Sequence, residues 1–177
     1  MAYDKSDSRP FRPVSIAVLT VSDTRGLDED RSGDLLVARV RDAGHHLQDR
    51  KLLRDDPEAI TAQLRAWVED PTVEAVISTG GTGLTGRDST PEAFEAVIDK
   101  PIPGFGELFR WLSYAKIGTS TIQSRALGGV AGGTFLFALP GSTSAVRDGW
   151  DEILVHQLDV RTRPCNLVEL MPRLRER

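Results

Sequence analysis

The sequence predicts an α/β fold, a three-layer sandwich in which helices cover both faces of a mostly parallel central sheet. Short apolar segments rich in β-branched residues alternate along the chain with segments whose apolar residues recur at helical spacing. Residues 14–21 (VSIAVLTV) form an almost unbroken apolar run, which is typical of a parallel strand buried on both faces. Because alternating strands and helices connect parallel neighbours, we expect helices on both sides of the sheet.

The composition indicates one globular domain. The chain has 177 residues, of which 40% are hydrophobic and 27% charged. A net charge of −4 gives no general attraction for nucleic acid or an anionic membrane, and no apolar run approaches the ~20 residues needed to cross a bilayer. A single cysteine, Cys165, and the lack of a charged-then-apolar leader favour a cytoplasmic protein. No structural metal is expected, because the three histidines do not combine with Cys165 at any zinc-site spacing.

The chain divides into three parts. Residues 1–13 are polar, contain two prolines and are expected to be a flexible N-terminal arm. Residues 14–160 carry all the predicted strands and helices and form the domain itself. Residues 161–177 are basic and interrupted by proline, so we expect a C-terminal tail with only partial order.

The individual elements follow from periodicity and capping residues. Strands are predicted at residues 14–21, 46–53, 73–77 and 134–139, with 46–53 at the margin of the sheet. Helices are predicted at residues 32–42, 57–68, 92–98, 107–115 and 143–158. Ser32 and Asp56 are expected to cap the first two helices. Leu108 is expected to point inward, His45 and His46 to lie on the surface, and residues 128–133 (GGVAGG) to form a flexible connector.

Residues 78–91 (STGGTGLTGRDSTP), the glycine loop, lie between a predicted strand and a predicted helix. Glycines without a Cβ atom allow positive φ and let an anionic group approach the backbone amides closely. Thr82 and Thr85 add hydroxyl donors, and a helix beginning near Ser89 brings a positive dipole end close by. The glycine loop is therefore predicted to bind a phosphate or a pyrophosphate.

Two familiar phosphate motifs do not account for this loop. Gly81, Gly83 and Gly86 match G-x-G-x-x-G, but the helix begins too late, and Glu107 falls in a predicted helix instead of closing a strand. A Walker A loop requires a lysine where this chain has Arg87. Asp88 beside a phosphate indicates either bound Mg²⁺ or a helix cap, and both interpretations stay open.

Two further loops are predicted to reach the same edge of the sheet. Ser22 and Asp23 follow the first strand, and Pro140, Gly141 and Ser142 follow the last one. Parallel strands end at one edge of a sheet, which is where open α/β sheets bind their ligands. This placement predicts one pocket for a phosphate-bearing ligand.

Ser124 and Arg125 allow two interpretations. They end a segment rich in hydroxyl groups, residues 119–126 (TSTIQSRA), and an arginine in such a segment can contact a phosphate. A structural hydrogen-bond network is equally compatible with the spacing.

An ordered set of short motifs resembles the MoaB/MogA family of molybdopterin-binding proteins. The set comprises residues 79–83 (TGGTG), 87–88, 90–91, 103–107 (PGFGE), 124–125 and 140–141. Residues 118–125 (GTSTIQSR), 140–143 (PGST) and 158–166 (LDVRTRPCN) are similar to the MoaB branch. The match spans roughly residues 14–166. It implies a MogA-like domain that assembles as homotrimers or homohexamers.

The resemblance also implies a reaction, in which molybdopterin and Mg²⁺-ATP give adenylylated molybdopterin and pyrophosphate before a separate protein inserts molybdate. The two aspartates that serve this chemistry in active relatives correspond to Asp55 and Asp88, which are therefore assigned to catalysis and to Mg²⁺. The residues assigned to substrate binding are Ser22, Asp23, Thr79, Gly80, Gly81, Thr82, Gly83, Thr85, Glu107, Ser124, Arg125, Pro140, Gly141 and Ser142.

Two other functions stay open at this point. Members of the MoaB branch are not uniformly catalytic, so the chain could bind molybdopterin without adenylylating it. Residues 140–143 (PGST) depart from the family pattern, because adenylyltransferases usually carry Asn or Gln after the glycine. A regulatory nucleotide-binding module is the more distant alternative.

Overall fold

A computed structural model describes Lys5, residues 9–24 and residues 26–176. Most of the predicted N-terminal arm lies outside these residues. The sheet has six strands in the order β2-β1-β3-β6-β5-β4. Strands β2, β1, β3 and β6 are mutually parallel, whereas β5 pairs antiparallel with β6 and with β4. The prediction of a mostly parallel sheet with β2 at its margin is confirmed. The strands are β1 Ser15–Val21, β2 His46–Leu53, β3 Ala75–Thr79, β4 Lys100–Pro101, β5 Leu127–Ala131 and β6 Thr134–Leu139.

Helices cover both faces of this sheet, as the three-layer prediction requires. The helices are α1 Arg31–Asp42, α2 Pro57–Glu69, α3 Thr90–Glu95, α4 Pro103–Ile117, α5 Thr143–Gly149 and α6 Val155–Gln157. A π-helical segment at Trp150–Leu154 joins the last two, and 3-10 helices occupy Leu27–Glu29, Gly118–Gln123 and Val168–Arg173. Successive residues of β1 face opposite sides, so Val18 joins the core beneath α1, α4 and α5, and Leu19 joins the core beneath α2 and α3.

Three predicted elements differ from the structure. Helix α1 is capped by Asp30, whose Oδ1 accepts the Gly33 N–H at 2.8 Å, and Ser32 is the second residue of the helix. The glycine-rich run 128–133 forms most of β5 and the turn into β6, because its neighbours on both sides leave room only for glycine at several positions. Helix α4 begins at Pro103 and not at residue 107, since proline is well tolerated in a first turn.

Two side chains differ from their predicted burial. Leu108 is 37% exposed, whereas Phe105 and Phe109 fill the core from the other face of α4. His45 is buried, and its Nδ1 accepts the Val14 N–H at 3.1 Å. His46 is exposed, as expected.

The predicted loose tail packs against the domain over most of its length. Val168 is buried, and Leu167, Met171 and Leu174 contact the core beneath α1, α4 and α5. The buried Asn166 donates from Nδ2 to the carbonyl oxygens of Val160 and Thr162, both at 3.1 Å. Among the described residues, no helix is both long and apolar enough to cross a membrane.

Candidate functional site

A cavity of about 480 Å³ opens at the carboxyl ends of β1, β3 and β6. The structure brings to it the three loops that the sequence places at one edge of the sheet. Its lining includes Ser22 after β1, residues 80–83 and Asp88 after β3, and residues 140–142 after β6. Its volume is typical of a site for one small ligand or for adjoining parts of two.

Two glycines shape the start of the glycine loop. Gly80 has a φ of +103° and Gly81 a φ of +64°, which are conformations that other residues adopt at a cost. A Cβ atom on Gly80 would lie 2.1 Å from the carbonyl oxygen of Val21, so the loop packs directly on the end of β1. The Gly80 N–H donates to Leu139 O at 3.0 Å, which also ties the loop to β6.

Asp88 holds the far end of the glycine loop. Its Oδ2 accepts hydrogen bonds from Thr85, at 2.8 Å from the backbone nitrogen and 2.6 Å from Oγ1. The hydroxyl bond from Thr85 is the largest influence on this group, and together with backbone donors it holds the pKa of Asp88 below its ordinary value. Asp88 is therefore an ionised carboxylate that lines the cavity.

Asp55, which lies between β2 and α2, contacts the same loop. Its Oδ1 accepts from Ser89, at 2.9 Å from the backbone nitrogen and 2.6 Å from Oγ. A Cβ atom on Gly81 would stand 2.6 Å from Asp55 Oδ2, so this carboxylate packs against the loop backbone. Ser89 precedes α3, but its side chain does not cap the helix, and its hydroxyl donates to Asp55 instead.

Each of the two aspartates has one oxygen engaged with the loop, Oδ1 in Asp55 and Oδ2 in Asp88. The described residues contain no group of three or more His, Cys, Asp or Glu side chains that could hold a metal by themselves. Mg²⁺ does not require one, because it is usually held by one or two carboxylates together with water and substrate phosphates. The residues present fit a cation of that kind.

Arg125 braces the glycine loop from outside. Its Nε donates to Gly83 O at 2.9 Å, its Nη2 donates to Asp88 O at 2.8 Å, and its Nη1 pairs with Glu92. Of the two interpretations of Arg125, the structure contains the structural network. The guanidinium fixes the backbone on either side of residues 84–87 and does not line the cavity.

The remaining predicted residues fall into four groups. Ser124 lines the cavity, and Ser142 both lines it and caps α5 by accepting the Ala145 N–H at 3.1 Å. Thr79 is fully buried and donates to Pro140 O at 3.1 Å, which joins the ends of β3 and β6. Glu107 lies in a separate groove along α4. Asp23 and Thr85 support the site from outside the cavity lining, since Asp23 accepts the Asp55 N–H at 3.1 Å.

One whole wall of the cavity was missed by the sequence analysis. It is built by α4, the following 3-10 turn and α5, and it contributes Phe109, Ser113, Lys116, Ile117, Ser120, Gln123, Ser144 and Asp148. Lys116 Nζ pairs with Asp148 Oδ1 at 2.6 Å across this wall. The spacing of residues 109, 113 and 116 places them on one helix face, which is the one sequence signal that could have found it.

The cavity floor rests on a buried ion pair. Thr20 lines the cavity and donates from Oγ1 to Asp30 Oδ2 at 2.6 Å, and Arg50 Nη2 donates to the same oxygen at 2.9 Å. Burial alone would raise the pKa of the fully buried Asp30 carboxyl, but the donors from Thr20, Arg50 and Gly33 outweigh it and hold the pKa below its ordinary value. The edge strand β2 is thereby linked to the site.

Fold and site together define an α/β domain with a glycine-rich loop and a ligand-sized cavity at the carboxyl edge of its sheet. The family model for a probable molybdopterin binding domain matches residues 17–160. The chain therefore belongs to the molybdopterin-binding family of molybdenum cofactor biosynthesis proteins, which confirms the resemblance seen in its motifs.

Individual relatives are similar over most of their length. Molybdenum cofactor biosynthesis protein B of Escherichia coli K12 is 50% identical over 159 residues, covering 90% of this chain and 94% of the relative. A crystal structure of a molybdenum cofactor biosynthesis protein B has a TM-score of 0.82 at 40% identity, covering 85% of this chain and 94% of that one. The tungsten cofactor synthesizing protein MoaB of Pyrococcus furiosus has a TM-score of 0.73 at 35% identity, covering 81% and 91%.

Proposed function

We propose that this chain adenylylates molybdopterin at the expense of Mg²⁺-ATP. A phosphate oxygen of molybdopterin attacks the α-phosphorus of ATP, the bond from that phosphorus to the bridging oxygen breaks, and pyrophosphate leaves with the bonding electrons. The adenylylated product is then the substrate of a separate protein that inserts molybdate. Both reactants are anions, so the site must hold two negatively charged groups in contact.

The contacts that the carboxylates of Asp55 and Asp88 make with the glycine loop are the observation that carries this proposal. Among the described side chains that line the cavity, Lys116 opposes two carboxylates, Asp88 and Asp148. Such a lining repels a polyphosphate unless a divalent cation stands between them. Bound Mg²⁺ would be held by Asp55 and Asp88, and it would neutralise the phosphates and polarise the α-phosphoryl group.

The protein's own contribution is to hold the loop and both carboxylates in place. Thr85 fixes the orientation of Asp88 and keeps it ionised, and Ser89 does the same for the orientation of Asp55. Arg125 holds the carbonyl groups of Gly83 and Asp88 from behind. These contacts fix the loop before a ligand arrives, which lowers the cost of bringing two anions together.

We also propose that the chain acts as a homotrimer or homohexamer. The outer face of α4 and the following 3-10 turn exposes five large apolar side chains, Leu108, Trp111, Tyr114, Ile117 and Ile122. An exposed apolar patch of this kind is typical of a protein–protein interface. Phe105 and Phe109 of the same helix lie in the core and do not contribute to this patch.

The decisive experiment measures pyrophosphate release from ATP by the purified chain, with molybdopterin and Mg²⁺ each present or omitted. We expect release only when all three are supplied. Asp55→Asn and Asp88→Asn should each lower the rate by about a hundredfold or more, because each removes a negative charge from the proposed cation site.

Asp56→Asn is the matched control. Asp56 is the neighbour of Asp55, is exposed, and caps α2 by accepting the N–H groups of Glu58 and Ala59. Asparagine caps a helix about as well as aspartate, so this variant should keep full activity. Unchanged turnover in Asp88→Asn would remove that residue from the mechanism. Molybdopterin binding without pyrophosphate release would identify a binding protein, and ATP binding independent of the pterin would favour a regulatory module.

A further inference from the structure

Asp148 is a carboxylate in the cavity wall that the adenylylation chemistry does not use. It lies on α5, its side chain is 12% exposed, and it lines the cavity. Lys116 Nζ donates to its Oδ1 at 2.6 Å, and in the described part of the chain no hydrogen bond to Oδ2 is recorded. A largely buried carboxylate in the lining of a ligand cavity is costly to hold unless donors meet its oxygens.

The pair with Lys116 does not by itself explain this carboxylate. The Lys116 side chain is 56% exposed, and an ion pair with one solvated partner contributes little to stability. A carboxylate has about four lone-pair sites on its two oxygens, so Asp148 can keep Lys116 and still accept two further N–H donors. The surrounding wall combines apolar and polar side chains, with Phe109 and Ile117 beside Ser113, Gln123 and Ser144.

Resting on the proposed function, we propose that Asp148 selects the pterin substrate by accepting the paired N–H groups of its 2-amino-4-oxopyrimidine edge. This edge presents a ring N–H and an exocyclic NH₂ side by side, which matches the two oxygens of one carboxylate. Adenine presents one donor beside one acceptor and does not match. Phe109 and Ile117 supply the apolar contacts that a flat heterocycle requires.

The test compares two fluorescent ring compounds with the full-length chain in the absence of ATP. Pterin carries the 2-amino donor, whereas lumazine carries a carbonyl oxygen at the same position. Wild type should bind pterin at least about tenfold more tightly than lumazine, because the lumazine carbonyl oxygen would face a carboxylate oxygen of Asp148 and both groups are acceptors. Asp148→Asn replaces one acceptor by a donor, so this preference should disappear or reverse.

Lys116→Met separates recognition from ion pairing. This variant removes the partner of Asp148 and leaves the carboxylate in place, so the preference for pterin should persist. An equal loss of preference in Lys116→Met and Asp148→Asn would show that Asp148 only positions Lys116, and it would overturn the proposal. Equal binding of pterin and lumazine by wild type would overturn it as well.

Guanine has the same donor edge, and guanosine, which like pterin carries no phosphate, is therefore tested in the same titration. Tighter binding of guanosine than of pterin would assign the wall to a nucleotide base and would contradict the pterin assignment. Because no ATP is present, the result is independent of turnover. If the chain selects pterin through Asp148 but releases no pyrophosphate, this inference stands and the adenylyltransferase proposal is rejected. If it releases pyrophosphate but does not select pterin through Asp148, the adenylyltransferase proposal stands and this inference is rejected.

Discussion

Replacing Gly83 by alanine tests whether the position of the Asp88 carboxylate controls activity. The three atoms nearest to an added Cβ atom all belong to Asp88, with Oδ2 at 2.7 Å. Ordinary contact begins at 3.4 Å, so Oδ2 must retreat by about 0.7 Å. Gly83 does not have a positive φ, so alanine causes no backbone strain there.

This displacement of the Asp88 carboxylate should affect activity much more than stability. Asp88 is a short flexible side chain at the cavity surface that can turn aside, so the free energy of unfolding should fall by only about 1 kcal/mol, from weakened hydrogen bonds to Thr85. A catalytic group displaced by a sizeable fraction of an ångström can lower a rate by about a hundredfold. We therefore expect Gly83→Ala to abolish most pyrophosphate release and to leave the denaturation midpoint nearly unchanged.

Gly86→Ala provides the matched control within the same loop. No atom lies within 4 Å of the Cβ that this substitution adds, so both turnover and stability should stay at the wild-type level. The assay is steady-state pyrophosphate release at saturating substrates, combined with denaturant unfolding of the three proteins. Near-normal turnover in Gly83→Ala, or the same loss in both variants, would refute the assignment of Asp88 to the reaction.

Two further predictions concern assembly and pH. Trp111→Glu places a charge on a side chain that is 69% exposed in the apolar patch of α4, so the oligomer measured by light scattering should dissociate, whereas the exposed Arg87→Glu should leave it intact. Burial lowers the pKa of His45 to about 4 from an ordinary value of 6.5, so unfolding takes up a proton between those values. Stability should fall by up to about 1.4 kcal/mol per pH unit as the pH drops from 6.5 towards 4, and His45→Asn should flatten this dependence; a flat wild-type profile would contradict it.

The sequence predicts those features of the fold and site that depend on which segments follow one another along the chain. The alternation of strand and helix predicted the layers, and the glycine loop could be placed because it directly follows β3. The convergence of the loops after β1, β3 and β6 also followed, since the carboxyl ends of parallel strands share one edge. The 128–133 run was misassigned because glycine suggests flexibility, whereas here close neighbours such as Ile98 and Phe137 require small residues inside a strand.

The sequence could not reveal contacts between residues that are far apart in the chain. Lys116 and Asp148 meet only because α4 and α5 lie on the same face of the sheet, and nothing near either residue signals the other. The same holds for Arg50 and Asp30, which join an edge strand to the cap of α1. His45 lies between the turn at Gly44 and the start of β2, where a surface position is expected, but its burial depends on Val14 and on the ring of Trp150.

The close approach of Gly141 to Gly80 has a consequence for how ligand preference can change in this fold. A Cβ atom on Gly141 would lie 3.1 Å from the α-carbon of Gly80, so the turns after β3 and β6 stand backbone to backbone. A side chain at position 141 would therefore require the turn after β3 to move as well. Ligand preference can change more readily on the opposite wall of the cavity, where helical side chains can be exchanged singly while the two glycine turns keep their relative position.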